Sequence, residues 1–455
     1  MGESQLGYGR RRDHRRRQRE GAGLRAAVCA LAYIGFGMVA ARTHAANAVA
    51  PATSSEANAH WVAAWYSPPF PTTAVWSCNQ VRTFTRQTVR QVVRLEAAGD
   101  RVRIRLTNEL GLEPLAFGEV HVALSSPNGV TERGTDRIVT FGGEHGATIP
   151  RGKALVSDPI DLKVGRFQEL AISVYYPSGA APAGHLADLE ISPAGDHAGE
   201  SVWPRAGHAQ SPGVVSGVEV DTASPESVLV AFGDSITEGA CATEGAHRDY
   251  PEQLSVLLAA HRGSDQSWII INSGISGNRL LHDGSGPRAL DRFGRDALDI
   301  TGVKAILLLE GINDIGWAFD PEGNGGPLSA ADIIGAYQNL IRRAHARGLK
   351  IFLGTLAPYE GAKYSHPAGE KVREEVNAWI RKGQGFDGVV DFDAALRDPS
   401  SPLHYLGADQ CGDDLHPNDA GYHAMAQAAF QRLFAPQSAH APLAHVAIGH
   451  SRRTG

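Results

Sequence analysis

Between Trp61 and about Tyr176 apolar and polar positions alternate with a period of two. Val102, Ile104 and Leu106 alternate with Arg101, Arg103 and Arg105, so one face of this stretch is predicted to meet a core and the other solvent. Gln91–Leu95 and Arg101–Leu106 flank the turn residues Ala97-Ala98-Gly99-Asp100 and read as a hairpin. Further short apolar runs at Val120–Leu124, Arg137–Phe141 and Leu170–Tyr176 recur between breaks containing Gly or Pro. This spacing predicts an all-β sandwich or jelly roll over residues 58–215. From 178 to 227 the chain is rich in Ala, Gly, Pro and Ser, which predicts a passage between domains, with the linker at 216–226.

After Glu226 the pattern changes to apolar strand followed by amphipathic helix. Strands are predicted at Ser227–Phe232, Trp268–Asn272, Val303–Leu309, Leu349–Thr355 and Gly388–Phe392, and helices at Tyr250–His261, Ala330–Arg347, Gly369–Arg381 and Ala420–Phe434. Such alternation implies an α/β domain over 227–435, a parallel sheet with helices on both faces. Residues 436–455 are expected to form a disordered tail.

At 455 residues the chain exceeds one ordinary domain, which agrees with two folded regions. Its formal charge is −6 although the first two dozen residues are strongly basic, so the remainder is more acidic than the total indicates, and nucleic acid is not an expected partner. Arg10-Arg11-Arg12 and Arg15-Arg16-Arg17 precede an apolar run from about Ala26 to Ala41, followed by Ala46-Asn47-Ala48. This is the order of a secretory signal at 1–48 and predicts a secreted or periplasmic protein. A retained anchor is the competing reading. The run falls short of the ~20 residues a spanning helix needs and contains Gly35 and Gly37, which favours removal and leaves no stable membrane span.

Removal would take Cys29 and leave Cys78, Cys241 and Cys411. Cys241 follows Ser235 closely and Cys411 precedes Asp413, so convergence of those two loops would bring the thiols together. A Cys241–Cys411 disulfide is therefore expected, with Cys78 free or buried. Three unpaired buried thiols are the alternative.

Gly233-Asp234-Ser235-Ile236-Thr237 stands directly after a buried apolar strand, where a serine is displayed at the strand's carboxyl end. A serine hydroxyl needs an imidazole to take its proton and a carboxylate to orient that ring. His416 and Asp413 fit these parts, their spacing letting one turn of loop carry both; Asp414 is the less favoured orienter. The oxyanion of a tetrahedral intermediate needs preorganised donors. The backbone N–H groups of Ser235 and Gly277 and the side-chain amide of Asn313 are assigned to it. Each element alone has a plainer reading as a turn, a helix cap or a loop histidine. Their occurrence together, in order and at strand ends, favours catalysis. A metal site built from Asp409, Asp413, Asp414 and His416 is not expected, because histidine pairs at helical spacing are absent.

These blocks, Gly-Asp-Ser-Ile-Thr at 233–237, Gly277 with Asn278, Gly311-x-Asn313-Asp314 and Asp413-x-x-His416, resemble those of the GDSL or SGNH hydrolase superfamily over about Val228 to Phe434. The resemblance implies a flavodoxin-like parallel sheet and ester hydrolysis without a cofactor. It makes Ser235 the nucleophile, Asp413 and His416 the acid and base, and Ser235, Gly277 and Asn313 the oxyanion donors. Ile236 stands where the family name has leucine, an ordinary variant. The region from Trp61 resembles, less specifically, the β-sandwich preceding the hydrolase domain in some secreted members. The expected substrate is a small-molecule or polysaccharide ester. Short acyl esters lead, with O-acetyl groups on glycans and lipase-like acyl hydrolysis as alternatives. Trp65, Trp76, Trp317 and Tyr359 are candidates to stack on sugar, with core burial as their commoner fate. A non-catalytic carbohydrate-binding protein is the rival from another class, and it requires Ser235, Asp413 and His416 to lie apart.

Overall fold

The computed structural model describes residues 59–71, 81–126, 130–261, 268–319 and 326–435. The signal expected at 1–48, the tail expected at 436–455, Cys78 and Trp76 lie outside these.

The carboxyl-terminal half is built on five parallel strands, Ser227–Gly233, Trp268–Gly274, Val303–Leu309, Lys350–Gly354 and Gly388–Val390. Numbered in chain order, they lie side by side as second, first, third, fourth, fifth, the flavodoxin order. The first strand is fully enclosed. Val228, Val230, Ala231 and Phe232 are inaccessible to solvent, as are Ile269, Ile306 and Leu307 on its neighbours, which explains why these strands read as continuous apolar runs. Helices at Tyr250–Ala260, Ala330–Ala346, Pro367–Arg381 and Asp419–Leu433 cover the sheet. Each starts on a capped end: Asp249 accepts from the Glu252 N–H, Asn418 from Ala420 and Gly421, and Ser329 forms a capping box with Asp332.

The amino-terminal part forms two larger antiparallel sheets. One orders His60–Tyr66, Val215–Thr222, Gly99–Asn108 and Lys153–Val156, with Ile160–Val164 also on Gly99–Asn108. The other runs Gly207–Pro212, Leu186–Ala194, Gln87–Arg94, Glu169–Tyr176, Val120–Leu124 and Arg137–Ile138. Val102, Ile104 and Leu106 are buried as the alternation predicts, while Arg101 and Arg103 pair with Asp221 and Glu219 on the adjacent strand.

Two expectations are corrected here. The Gln91–Leu95 and Arg101–Leu106 segments do not form a hairpin: their strands belong to different sheets. Leu95 and Ala97 between them are fully buried, the Leu95 N–H bonding the Gln168 carbonyl just before the strand Glu169–Tyr176 and the Glu96 N–H the Ala64 carbonyl in the strand His60–Tyr66 of the other sheet. The connection thus passes between sheets rather than turning at the surface. The stretch expected to carry a linker at 216–226 instead holds the strand Val215–Thr222, at the centre of its sheet, because Val218 and Val220 fill the core between His60–Tyr66 and Gly99–Asn108.

The antiparallel and parallel parts lie within one compact unit. Tyr66 donates from its hydroxyl to Asp296 Oδ1 over 2.7 Å, the Ala63 N–H bonds the Thr301 carbonyl, and Arg166 bonds the Trp268 carbonyl and Glu226.

Candidate active site

Ser235 is the first residue of a four-residue helix, Ser235–Glu238, that begins where the first parallel strand ends. Asp234 caps it by accepting the Ile236 N–H, and Gly233 allows the tight exit. A Cβ at Gly233 would stand 2.2 Å from both the Leu309 carbonyl oxygen and Thr237 Oγ1, so a larger residue cannot occupy this turn.

His416 and Asp413 come from the loop before the last helix. Ser235 Oγ is 2.8 Å from His416 Nε2, and His416 Nδ1 is 2.6 Å from Asp413 Oδ2. The other carboxylate oxygen of Asp413 accepts the N–H groups of Leu415 and His416, so a single turn fixes the carboxylate and points the ring outward. Partial burial raises the Asp413 pKa, but the ring and N–H of His416 with the Leu415 N–H outweigh it and hold the group below the usual carboxylate range. Asp414 faces Gln410 instead. Cys241 and Cys411 are joined by a disulfide with Cα atoms 6.2 Å apart, as the loop placement predicts, so the serine and histidine loops are covalently tied. The Thr243 N–H and hydroxyl bonded to Asp419 add a second tie.

The expected oxyanion donors surround the serine loop. The turn carrying Gly277 hangs from the first strand through the Ile275 N–H on the Gly233 carbonyl, with Gly277 at φ 72°. Among the described residues neither the Ser235 nor the Gly277 N–H has a protein acceptor. Asn313 Nδ2 donates to the Asn278 carbonyl over 2.9 Å, and its Oδ1 accepts from the Tyr364 hydroxyl. Asp314 accepts the Leu280 and Leu281 N–H groups, fastening the helix Ile312–Phe319 to the loop beyond Gly277.

Beneath these loops Arg292, wholly buried, donates to Asn278 Oδ1, the Ser273 carbonyl and the Gly233 carbonyl, and lies 3.5 Å from Glu310. One guanidinium thereby holds three segments that frame Ser235. Burial pushes the carboxyls of Asp234 and Glu310 up, with the charge of Asp314 adding to the rise at Asp234, that of Asp234 adding to the rise at Glu310, and Arg292 opposing both.

Arg292 and Tyr364 carry no motif and were not singled out from the sequence. Of the aromatics considered for sugar stacking, Tyr359 is buried and Trp317 packs on Tyr364. Trp65 lines a cavity of about 230 Å³ that also touches Glu238 and Gly274 but none of Ser235, Asp413 and His416.

Residues 231–424, which hold the serine, the donor loops and the histidine, match the GDSL-like Lipase/Acylhydrolase family. This region belongs to that GDSL/SGNH group, and the chain is a carboxylic ester hydrolase. No curated protein matches it. Similar solved structures include a GDSL-like lipase from Bacteroides thetaiotaomicron (20% identity, 45% of this chain and 86% of that one, TM-score 0.34). An acetyl xylan esterase from Geobacillus stearothermophilus is 21% identical over 45% of this chain and 93% of its own, with a TM-score of 0.35. An alpha/beta hydrolase from the metagenome of Lake Arreo is 23% identical over the same shares, also at 0.35. Likenesses at this level do not bear on what the chain acts on.

Proposed function

We propose that the protein is an exported serine esterase that hydrolyses carboxylic esters of short acyl chains. The observation that carries the reading is the unbroken run of short contacts from Asp413 through His416 to Ser235 Oγ. Ser235 Oγ attacks the ester carbonyl as His416 Nε2 takes its proton. The N–H groups of Ser235 and Gly277 and the Asn313 amide receive the oxyanion. His416 then returns the proton to the departing alcohol, and water, deprotonated by the same ring, releases the acid from the acyl-enzyme. Asp413 keeps the ring in the tautomer that leaves Nε2 free to accept.

Export is supported by the basic and apolar order of residues 10–48 and by the Cys241–Cys411 disulfide, which persists in an oxidising compartment. The two antiparallel sheets are read as a sandwich, whose inward faces supply the core of that region.

The test is hydrolysis of a short-chain aryl ester by the wild type and by Ser235→Ala. The variant is expected to fold normally and to lose turnover; unimpaired turnover would refute the assignment.

A further inference from the structure

We propose that His185, from the antiparallel region, is a positioning residue for the oxyanion site and acts through Glu238; the inference rests on the esterase reading above. Glu238 closes the helix that Ser235 opens. Its Oε1 lies 2.8 Å from His185 Nε2, while His185 Nδ1 lies 2.7 Å from the Pro68 carbonyl oxygen. A carbonyl and a carboxylate only accept, so both ring nitrogens carry hydrogen and the contact is an ion pair. Burial disfavours the imidazolium, but Glu238 and Pro68 outweigh it and hold His185 above the ordinary imidazole range.

The imidazole is a fixed anchor. Two backbone hydrogen bonds pin this loop to Gly213, the Gly213 N–H reaching the His185 carbonyl and the Gly184 N–H the Gly213 carbonyl. The Phe70 N–H adds a third bond, to Gly184, and a Cβ at Gly184 would stand 2.3 Å from the Gly213 carbonyl oxygen. The ring therefore cannot follow Glu238 if that residue moves.

Glu238 in turn sits where the Ser235 helix meets Gly274, the residue that leads into the turn of Gly277. Its own backbone packs so tightly on Gly274 that a Cβ there would stand 2.2 Å from the Glu238 nitrogen. Asn272 Nδ2 bonds the carbonyl of Thr237 beside it. The same amide reaches the Glu238 carbonyl, and its Oδ1 accepts the Gly274 N–H, so Asn272 ties the end of the Ser235 helix to the strand end that leads into the Gly277 turn. One residue thus closes the helix of Ser235 and presses on Gly274, which leads into the turn of Gly277, and the N–H groups of Ser235 and Gly277 must converge on a single oxygen.

Other charges near the pair do not replace His185. Arg292 lies behind it and is committed to Asn278, Ser273, Gly233 and Glu310. Glu96, Asp249 and Glu252 line the adjoining cavity. Burial pushes Glu96 and Asp249 up, toward their neutral forms. Without the imidazolium, Glu238 would keep a partly buried charge with no counter-ion, and the adjoining cavity gives its side chain room to turn away, loosening the end of the Ser235 helix against Gly274. The two donors would then lose their common brace.

Full-length His185→Ala, His185→Gln, Glu238→Gln and the His185→Ala/Glu238→Gln double variant are compared for hydrolysis of p-nitrophenyl acetate, with thermal melting as the check on folding. His185→Ala is expected to lower kcat by about 10- to 100-fold with KM little changed. The double variant should be no slower than Glu238→Gln alone, and His185→Gln, which keeps a neutral donor, should recover part of the loss. An unchanged kcat in His185→Ala, or losses that multiply in the double variant, would overturn the proposal. If His185→Ala does not fold, His185→Gln stands in, a partial fall in kcat supporting the proposal and an unchanged kcat contradicting it. An inactive wild type or an active Ser235→Ala sinks the esterase reading itself, whereas a fully active His185→Ala beside an inactive Ser235→Ala sinks this inference alone.

Discussion

Tyr364 donates its hydroxyl hydrogen to Asn313 Oδ1 over 3.1 Å, and the opposite end of the same amide donates to the Asn278 carbonyl. A carbonyl accepts only, so the Asn278 contact identifies the nitrogen and the Tyr364 contact holds the oxygen. Tyr364 also packs so closely on the helix Ile312–Phe319 that a Cβ at Gly316 would stand 2.3 Å from its ring. Together these contacts fix which way Asn313 presents its hydrogens.

Tyr364→Phe is therefore expected to keep the fold and lower kcat about tenfold with little change in KM, less than the ~10²–10³-fold loss expected of Asn313→Ala. Steady-state kinetics on one aryl ester for both variants checks the order.

The Cys241–Cys411 disulfide closes a long loop, with the two residues 170 positions apart, and its ends lie beside Ser235 and Asp413. Replacing both cysteines with serine should cost about 2–4 kcal/mol of stability. It should also reduce turnover, because the hydroxyl and the imidazole now approach on loops joined only by noncovalent contacts. Urea denaturation and kinetics with and without reductant measure the two effects. The double-serine variant should be indifferent to reductant.

Glu96 is buried, and burial raises its carboxyl to about 7 against an ordinary value of 4.5, with Arg94 opposing the rise. Between these values the folded chain keeps a proton that the unfolded chain has released, so stability falls as pH rises from about 4.5 to about 7. Glu96→Gln should flatten that slope by up to about 3 kcal/mol. Thermal melts between pH 5 and pH 8 read it directly.

Arg292 holds the loops from beneath, and its removal would leave Glu310 buried without that cation, while Asp296 keeps its pairing with Arg295. Arg292→Leu should cost about 3–5 kcal/mol in urea denaturation. Arg292→Lys should not restore activity, since one ammonium cannot reach Asn278 Oδ1 and the Ser273 and Gly233 carbonyls in the planar array the guanidinium makes.

The parallel strands were legible because each is buried on both faces and appears as an unbroken apolar run; Val303–Leu309 coincides with its predicted span. The four motif blocks and the disulfide were legible because strand ends in such a sheet deliver their loops to one edge. Pairing in the antiparallel region was less so. Alternation identifies the buried face of Gly99–Asn108 without saying which strand lies beside it, and of the residues that suggested a surface turn at 97–100, Ala97 is buried and Gly99 and Asp100 already belong to the next strand. Val215–Thr222 was hidden by its small residues, and its place depends on partners about 110 to 160 positions earlier. His185, Arg292 and Tyr364 act only through contacts made by folding, so no local spacing marks them.

The most direct test of the account is active-site labelling with an alkyl fluorophosphonate, whose phosphorus takes the serine oxygen as fluoride leaves. Intact-mass measurement and peptide mapping should find one adduct per chain, on Ser235, accompanied by loss of ester hydrolysis and absent from Ser235→Ala. Full labelling of Ser235→Ala, or an adduct on another residue with Ser235 untouched, would contradict it.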